Sequence, residues 1–572
     1  MPTAGPRILP GTIGPVLRRY RGVIALGLVA LGLVGWLLVT DPIDTVTGAA
    51  SSTVRVARDV ADIDLPDGVM SWSRAQADGT TADFDWGDRC DQTTGRLALP
   101  TTLPSECFAV FAGDNGGATA TGVTATSVRI VVYRAGGGGI NELISKISSG
   151  SLDPESGLRA RRGYAEILGR YYETYGRTIE VVEFQGTGPA DDQVAAVADA
   201  EAIARELQPF AVLGGPLLTD AFADALARLK IMCWDCAPGQ STSWHEERAP
   251  YVWSLQKNPE QSGLMVQEYI GKRLMGRPAV HAGDPEMHSR ERVFGSLHIA
   301  LDSSASDITE VLERDRGRWG YEFAADAAFT DPTSLATTGR DLITKLKEAG
   351  VTTVVYTGDP FSPGTLTKIA TEQNYFPEWI ITGTALIDIN LLPRTYDQRQ
   401  WAHAFGPANL FVRPDDGYND AAGLWQWWFD EPAPLPGASA SLAFTPFVLL
   451  HVALQLAGPD LTLENFRDAL FGAPTLTGSP TLGQVSFGDR GLHPGLDFCG
   501  VDDQAEVWWD ATTEGLDELG RMGRGVWRWV DGGRRVLPGQ WPEAAPDVFD
   551  PTTAVVAVAG PPRDPDPYAP LR

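Results

Sequence analysis

The segment PFAVLGGPLLTDAFADALARLKIMCW, Pro209–Trp234, contains the pattern that indicates the fold. Its apolar runs Phe210–Leu213 and Ile231–Trp234 have the length and composition of buried strands. Asp220–Leu229, between the two runs, has the periodicity of a helix. A strand, a helix and a second strand in this order predict a parallel sheet that is flanked by helices.

The same alternation continues on both sides of this segment. The helix Asp191–Gln208 is predicted to bury a stripe formed by Val194, Val197, Ile203 and Leu207. Helices are also predicted over Leu342–Ala349, 441–457 and 461–471. The other predicted strands are Val128–Tyr133, Ile179–Phe184, Ala279–Ala282, Thr352–Tyr356, Trp379–Thr382, Gln484–Phe487, Glu506–Trp509 and Val526–Trp529.

The N-terminal part contains an apolar run that predicts a membrane anchor. Val23–Val39 holds no charge, and Gly22 and Thr40 extend it to a length close to the ~20 residues that span a bilayer. Three arginines (Arg18, Arg19 and Arg21) precede it and two aspartates (Asp41 and Asp44) follow, so the N-terminus is expected in the cytoplasm and the rest outside.

Two alternatives to the anchor remain open. The first is a cleaved signal peptide, because Thr47–Ala49 offers small residues to a peptidase; the apolar run is long for this role. The second is a buried core helix, which we disfavour because no later segment is expected to hold a comparable run.

Composition limits the partners and the cysteine chemistry. The 572 residues carry a net charge of −27, which disfavours nucleic acid as a partner. Of the five cysteines, Cys90 and Cys107 are close in sequence and lie in a segment expected outside the cytoplasm, so we predict a bridge between them and a free Cys499. Cys233 and Cys236 are expected to form a structural bridge or two buried thiols, in preference to a redox or zinc site.

A search for catalytic motifs finds none that is complete. His245-Glu246-Glu247 lacks a second histidine, because Ala249 occupies that position, and Gly136–Gly139 lacks the lysine of a phosphate loop. The seven histidines form no cluster spaced as metal ligands. We therefore expect no enzyme activity, no cofactor and no metal site. The Trp427-Trp428 and Trp508-Trp509 pairs are expected to serve packing in preference to ligand stacking.

Polar or turn residues follow several of the predicted strands. Parallel strands end at one edge of a sheet, and ligands bind at that edge. We predict that four such residues border one cleft between two lobes: Thr219 from the first lobe, and Asp284, Asp359 and Thr384 from the second. For the two aspartates the alternative is a purely structural one, in which each caps a turn before a proline.

Residues from about Val123 to Gly515 resemble the periplasmic type I solute-binding proteins, the group that includes leucine/isoleucine/valine-binding proteins. The resemblance rests on Pro209–Leu226, on DPTSLATTGRDLITKLKEAGVTTVVYTGDP (Asp331–Pro360), on PEWIITG (Pro377–Gly383) and on GQVSFGDRGLHPGLDF (Gly483–Phe498). It implies two doubly wound lobes joined by three crossovers, with the ligand in the cleft between them and an ABC-type permease as partner. The Cys90–Cys107 loop and the C-terminal pieces resemble an actinobacterial branch.

The sequence departs from the amino-acid binders of that family at the ligand. Those proteins hold the α-ammonium group with a carboxylate at the place that Thr384 occupies here. Of the positions near Leu218-Thr219 and Cys236-Ala237 that grip the α-carboxylate, only Thr219 fits. A branched-chain amino acid is therefore a doubtful ligand.

The expected fold class is α/β: two doubly wound parallel-sheet lobes with an interlobe cleft, preceded by one transmembrane helix. The expected function is a membrane-anchored, extracytoplasmic solute-binding protein that closes its lobes around a small polar ligand; the alternative is an envelope sensor or interaction module without a transport role. The segments are predicted as a cytoplasmic N-terminus (1–21), an anchor (22–40), a disulfide-stapled segment (41–125), first lobe (126–255), second lobe (256–405), return to the first lobe (406–480), closing strands with a C-terminal extension (481–550) and a disordered tail (551–572).

Overall fold

The computed structural model describes residues 63, 65–102, 104–134, 136, 154–189, 192–216, 219–236, 240–300, 306–330, 332–384, 386–415, 417–435, 437–518, 520–543, 547–560 and 568–572. The predicted anchor Val23–Val39 lies outside the described residues, as do most of Gly136–Gly139 and part of the C-terminal tail, 561–567.

The described part of the N-terminal segment is packed against the first lobe. It contains helix α1 (Trp72–Asp78) and the antiparallel strands β1 (Cys90–Asp91) and β2 (Arg96–Leu97). Cys90 and Cys107 form a disulfide with their Cα atoms 5.6 Å apart, which confirms the predicted bridge. Buried residues of this segment, including Trp86 and Phe108, share one hydrophobic core with the first lobe.

The first lobe is built on a five-stranded parallel sheet. Its neighbouring strands follow the order β4-β3-β5-β6-β7, which is a doubly wound order that changes direction between β3 and β5. The elements are β3 (Ser127–Arg134), α2 (Pro154–Tyr171), β4 (Thr178–Gln185), α3 (Gln193–Glu206), β5 (Ala211–Leu213), α4 (Ala221–Arg228), β6 (Met232–Trp234), α5 (Thr242–Glu247) and β7 (Val252–Trp253).

The buried face of α3 differs from the predicted stripe. Val194 is 81% exposed, whereas Ala196, Asp199, Ala200 and Ile203 are buried. Small alanines allow the helix to approach its neighbour α4 closely. Asp199 is tolerated inside because its carboxylate accepts hydrogen bonds from the Tyr133 hydroxyl and from the Thr187 amide and hydroxyl.

The second lobe repeats this arrangement. Its parallel strands follow the order β9-β8-β10-β11-β12, again a doubly wound order, with the change of direction between β8 and β10. The elements are α6 (Pro259–Tyr269), β8 (Phe294–Ile299), α7 (Ser306–Trp319), β9 (Ala325–Phe329), α8 (Leu335–Glu348), β10 (Thr353–Thr357), α9 (Pro363–Glu372), β11 (Glu378–Ile381), α10 (Gln398–Trp401), β12 (Ala404–Ala408) and β13 (Arg413–Pro414).

The predicted strand Ala279–Ala282 is wrong. The Ala282 amide donates to the carbonyl of Ala279, which closes a turn, and the Ala279 amide donates to Arg290 outside any sheet ladder. The first strand of this lobe is instead β8, in which Gly295, Ser296 and His298 interrupt the apolar run and hide it from pattern analysis.

The chain then returns to the first lobe as three helices: α11 (Asp420–Phe429), α12 (Gly437–Ala457) and α13 (Leu463–Gly472). Within α12, Ser439–Ala457 has a mean hydropathy of 1.7 and is 89% buried. By length and composition it passes the test for a membrane-spanning helix, so the expectation that no later run is comparable to Val23–Val39 is wrong. Its burial makes it the central helix of the first lobe's core.

The last strands complete the second lobe. They are β14 (Gln504–Leu516), β15 (Met522–Trp529), β16 (Arg535–Val536) and β17 (Ala557–Val558). β14 pairs antiparallel with β12. β15 and β16 in turn pair with β14 and extend the sheet to eight strands, while β17 pairs with β13 in a separate sheet. The predicted strand Gln484–Phe487 is wrong, since only Val485 forms isolated bridges there, to Leu476 and Val501.

The described residues of the C-terminal tail, 551–560 and 568–572, contact other parts of the protein, while 561–567 of the predicted disordered tail lie outside the described residues. β17 lies within this region. The Trp427 indole donates to the carbonyl of Tyr568, whose hydroxyl donates to Asp91, and Arg170 donates to the carbonyl of Leu571. The tail therefore joins the N-terminal segment to the first lobe.

One aromatic cluster shows how far apart in sequence the first lobe's core residues are. The Trp253 ring, at the end of β7, contacts Phe466 and Phe471 of the returning segment and also Phe487 and Phe498. We call this set the Trp253 cluster. The first lobe is thus completed by residues that follow the whole parallel part of the second lobe.

Candidate functional site

Three crossovers join the lobes at the carboxyl ends of both parallel sheets. The chain leaves the first lobe directly after β7, leaves the second after β12, and returns to the second through 500–503. Ser254 of the first crossover pairs with Cys499 at the start of the third. The Gln504 amide donates to the Asn409 side chain at 3.0 Å, which connects the third crossover to the second. The carboxyl ends of the two sheets therefore meet the same crossovers, where the sequence predicts the cleft.

The strand order identifies where in this cleft a ligand would bind. Doubly wound sheets bind ligands outside the carboxyl ends of their strands, where the strand order changes direction. In the first lobe that point is followed by Gly214 and Gly215, and in the second by Gly358. A Cβ atom on Gly215 would lie 2.4 Å from the carbonyl oxygen of Cys236, so only glycine allows this approach of two loops.

Thr219 lies beyond the carboxyl end of β5, at the start of α4, in what would be the first-lobe wall of the predicted cleft. It is buried, and its hydroxyl accepts a hydrogen bond from the Ala221 amide at 3.2 Å. The neighbouring Cys236 forms a disulfide with Cys233, consistent with the structural bridge preferred from the sequence, and Cys499 is free and buried. Parts of the two adjoining loops, 217–218 and 237–239, lie outside the described residues.

Asp220 is a polar residue of this wall that sequence reasoning had assigned only to the start of a helix. Its side chain does not cap α4 but accepts a hydrogen bond from Gln240, which follows β6. The second oxygen, Oδ1, is buried and has no hydrogen-bond partner among the described residues. Burial raises the pKa of Asp220 to about 6. The sequence gives no sign of this, because Gln240 is 20 residues away.

Thr384 lies in the second-lobe wall, beside the second crossover. Its hydroxyl is 2.9 Å from that of Thr382, which donates to the carbonyl of Tyr356. Between the two threonines, Gly383 has φ +67° and a Cβ there would lie 2.9 Å from the Asn409 amide nitrogen. The glycine thus brings the loop after β11 against the crossover.

Asp359 lies at the same edge of the second lobe, but its carboxylate has internal partners. Oδ1 accepts from the amides of Phe361 and Ser362, both at 2.8 Å, and Oδ2 accepts from the Ser362 hydroxyl. The residue is 0% exposed, and burial raises the pKa of its carboxyl group. This geometry favours the turn-capping alternative for Asp359.

Asp284 lies at the opposite edge of the second lobe. Its amide donates to the carbonyl of Phe376, which precedes β11, and its carboxylate caps the short turn Pro285–Met287 through the Glu286 amide. The predicted position at a strand's carboxyl end failed because the strand Ala279–Ala282 does not exist. The structure therefore does not bring Asp284 together with Thr384.

A cavity of about 330 Å³ lies near this opposite edge, under the C-terminal extension. Its three arginines all have partners within the protein: Arg273 pairs with Glu506, Arg292 pairs with Glu378, and Arg277 donates to the carbonyls of Lys272 and Glu543. The lining residues are Tyr269, Arg273, Leu274, Arg277, Pro278, Val280, His281, Arg292, Phe405, Glu506, Asp547 and Val548.

Charged side chains are concentrated where the crossovers meet. We call this group the crossover cluster; its members are Lys257, Asp388, His493, Asp497, Asp502, Asp503 and Arg535. Burial lowers the pKa of Lys257 to about 7 and raises those of Asp388 and Asp497 to about 7. His493 was one of the seven histidines for which the sequence showed no ligand spacing, yet the fold brings it near Asp497 and Asp502.

Comparison with known proteins gives structural neighbours only. No protein-family model and no curated protein matches the sequence. A solute-binding protein of an ABC transporter from Rhodopseudomonas palustris BisB5, in complex with 3,4-dihydroxybenzoic acid, is 14% identical, with a TM-score of 0.46 over 74% of this chain and 99% of that chain. One from strain HaA2, in complex with p-hydroxybenzoic acid, is 12% identical, with a TM-score of 0.49 over 70% and 96%.

A leucine-, isoleucine-, valine-, threonine- and alanine-binding protein from Brucella ovis, in a closed conformation, is 12% identical, with a TM-score of 0.48 over 74% of this chain and 98% of that chain. The actinobacterial branch stays a prediction. The structures similar to this chain are type I periplasmic solute-binding proteins, the family that its sequence motifs resemble.

Proposed function

We propose that this chain is a membrane-anchored, extracytoplasmic solute-binding protein that closes two lobes around a small polar ligand. The observation that carries the proposal is the pair of parallel sheets with the same doubly wound order, whose carboxyl ends meet at three crossovers. An ABC-type permease would receive the ligand; this partner follows from the sequence resemblance. Within this proposal the chain is a receptor and performs no catalysis.

The two walls of the cleft supply hydrogen-bonding groups of different kinds. Thr219 and Thr384 each carry a hydroxyl, which can donate and accept, and Gln240 carries an amide. Asp220 adds a buried carboxylate oxygen that lacks a partner among the described residues. A ligand held by both walls stabilises the closed arrangement, because only that arrangement satisfies both sets of groups.

A thermal-shift screen of the full-length chain in detergent tests this proposal. The compounds are amino acids, sugars, hydroxybenzoic acids and polyamines; similar structures hold two of the hydroxybenzoic acids. A true ligand at 100 times its Kd stabilises the folded chain by about 2.7 kcal/mol, and the melting temperature rises accordingly. Isothermal titration then measures the affinity.

Two variants and a control locate the binding site. Thr219→Val and Thr384→Val each remove one hydroxyl from one wall, and we expect about a 10-fold loss of affinity from each, the effect of roughly 1.4 kcal/mol. Thr337→Val changes an exposed threonine on α8 and should bind as the wild type does. A ligand whose affinity is the same in all three variants would bind outside the cleft and contradict the proposed site.

A further inference from the structure

His493, Asp497 and Asp502 come together at the third crossover. Asp502 lies on the crossover itself, and His493 and Asp497 lie on the loop that leads into it. The loop is held in place by the Gln261 amide of α6, which donates to Asp497 at 2.8 Å. Each of the three side chains offers one atom that could ligate a metal, and these three atoms lie within 4.8 Å of one another.

Two of these side chains have buried atoms without partners in the described part of the chain. Asp502 is 0% exposed; its Oδ2 accepts from Gln484 and Ser486, but its Oδ1 accepts nothing. The Nε2 atom of His493 is also buried and without a partner. A buried carboxylate oxygen that lacks any partner costs about 1–3 kcal/mol or more, so its retention calls for an explanation.

The charge of the crossover cluster also favours the binding of a cation. Its four carboxylates, those of Asp388, Asp497, Asp502 and Asp503, face two cations, Lys257 and Arg535. Arg535 is engaged by Asp503 at 2.9 Å, and the Lys257 ammonium donates to the carbonyl of Asp503 at 2.5 Å. The carboxylates of this cluster therefore outnumber its cations by two.

We propose that His493, Asp497 and Asp502 bind a divalent transition-metal ion, with Zn²⁺ as the best fit to one imidazole and two carboxylates. In a tetrahedral zinc site the ligand atoms lie roughly 3.5 Å apart, so binding would draw the loop a short distance toward the crossover. The remaining coordination positions would be taken by water.

This position connects the metal to the movement of the lobes. The ion would fasten the loop that carries His493 and Asp497 to the third crossover. Lys257, which lies on the first crossover, is close to both residues. Metal binding would therefore stiffen the region about which the lobes close. The inference does not depend on the identity of the cleft ligand or on the existence of one.

The test uses the full-length chain in detergent, stripped of metal with a chelator and then titrated with Zn²⁺. We expect one ion per chain by elemental analysis, and a melting temperature that rises on Zn²⁺ addition and falls again with chelator. His493→Ala and Asp502→Asn should each lower the affinity for Zn²⁺ at least about 10-fold, since loss of a second-shell partner alone costs 10–100-fold. His288→Ala, which removes an exposed histidine, should bind Zn²⁺ as the wild type does.

Anomalous diffraction at the zinc edge locates the ion directly and gives an answer even where a variant fails to fold. Density between His493 and Asp502 supports the proposal. A wild-type chain that takes up no Zn²⁺, an ion located elsewhere, or unchanged affinity in both ligand variants overturns it.

Discussion

Asp359 illustrates how burial fixes the role of a carboxylate at the end of a strand. Its three hydrogen bonds, to two amides and one hydroxyl, all lie within three residues along the chain. Replacing Asp359 with alanine leaves those amides without an acceptor in a buried site. We expect Asp359→Ala to lower the free energy of unfolding by about 1–3 kcal/mol, measured by urea denaturation, with the affinity for a cleft ligand unchanged.

Asp284→Ala is the matched control, because Asp284 also caps a turn before a proline but lies in a more exposed position. We expect it to cost less than Asp359→Ala. An Asp359→Ala chain that melts normally and binds its ligand weakly would instead make Asp359 a ligand contact.

Asp388 should make the stability of the folded protein fall as the pH rises. Its carboxylate accepts from the amides of Asn409 and Leu410, and burial, with a smaller effect from Glu518, raises its pKa to about 7. The folded state therefore holds a proton that the unfolded state, with a pKa of about 3.9, releases. The stability contributed by this group is complete below about pH 4 and is lost as the pH rises to about 7.

Asp388→Asn keeps an acceptor for the two amides and removes the titration. We expect the melting temperature of this variant, relative to the wild type, to rise between about pH 4 and pH 7 and then to level off. Asp489→Asn, at an exposed position, should follow the wild-type curve. If the melting temperatures of Asp388→Asn and the wild type changed with pH in parallel, the pH dependence would not come from Asp388.

At this scale the sequence predicts local chemistry and misses partners that are distant in the chain. The Cys90–Cys107 bridge and the free Cys499 are confirmed, and the short spacing of the first two cysteines already indicated the pair. Asp284 was misplaced because its position depended on a strand that does not form. The grouping of His493 with Asp502 and of Asp220 with Gln240 depends on the tertiary fold, which spacing does not encode.

Among the elements, strands with continuous apolar runs were predictable, and strands built from small or polar residues were not. Val128–Tyr133 and Thr352–Tyr356 correspond to β3 and β10 to within one residue at each end. β9 (ADAAF) and β12 (AFGPA) consist mainly of small residues, which have low β-propensity. β9 is a strand through its pairing with β8 at the edge of the sheet, and β12 because it is buried between β11 and β14. β7 has only two residues, too few for any periodicity.

The Cys90–Cys107 bridge should stabilise the N-terminal segment because it lowers the entropy of the unfolded chain, an effect that grows with the length of the closed loop. Its two cysteines are 17 residues apart, whereas Cys233 and Cys236 are 3 apart. Replacing Cys90 and Cys107 together with alanine should cost about 3 kcal/mol in the loop-entropy model. The same double replacement at Cys233 and Cys236 is the control and should cost less. Equal losses in calorimetry would show that side-chain packing, not loop closure, determines both.

At the scale of the whole molecule, our proposal gives the N-terminal apolar run the role of holding the lobes at the outer side of the membrane. Under our proposal Val23–Val39 is a retained anchor, since charges of opposite sign flank it. We expect the mature protein to keep its N-terminus, to sediment with membranes and to resist extraction by carbonate. Replacing Arg18, Arg19 and Arg21 with glutamate should leave a fraction of the chains in the opposite orientation. That fraction would be measured as lobes that an external protease does not cleave in intact cells. A mature chain that starts near Ala50, found by N-terminal sequencing, would make the run a signal peptide.

The two-lobed architecture was predictable as a class, but its detailed assembly was not. Recurrent strand–helix–strand patterns indicate doubly wound sheets. They do not show that the N-terminal segment and the C-terminal tail both pack on the first lobe, because those contacts rest on single residues such as Trp86 and Tyr568.

The Trp253 cluster also has a consequence for how the protein is made. A ribosome that has just finished Trp253 still has to add the stretch up to Phe498, which takes roughly 12–50 s at about 5–20 residues per second. During that time the nascent first lobe lacks the phenylalanines that cover the Trp253 ring, and the second lobe's parallel strands emerge before the first lobe can be finished. The unfinished apolar face is a natural binding site for a chaperone during biosynthesis, and a chain truncated before Phe466 should aggregate.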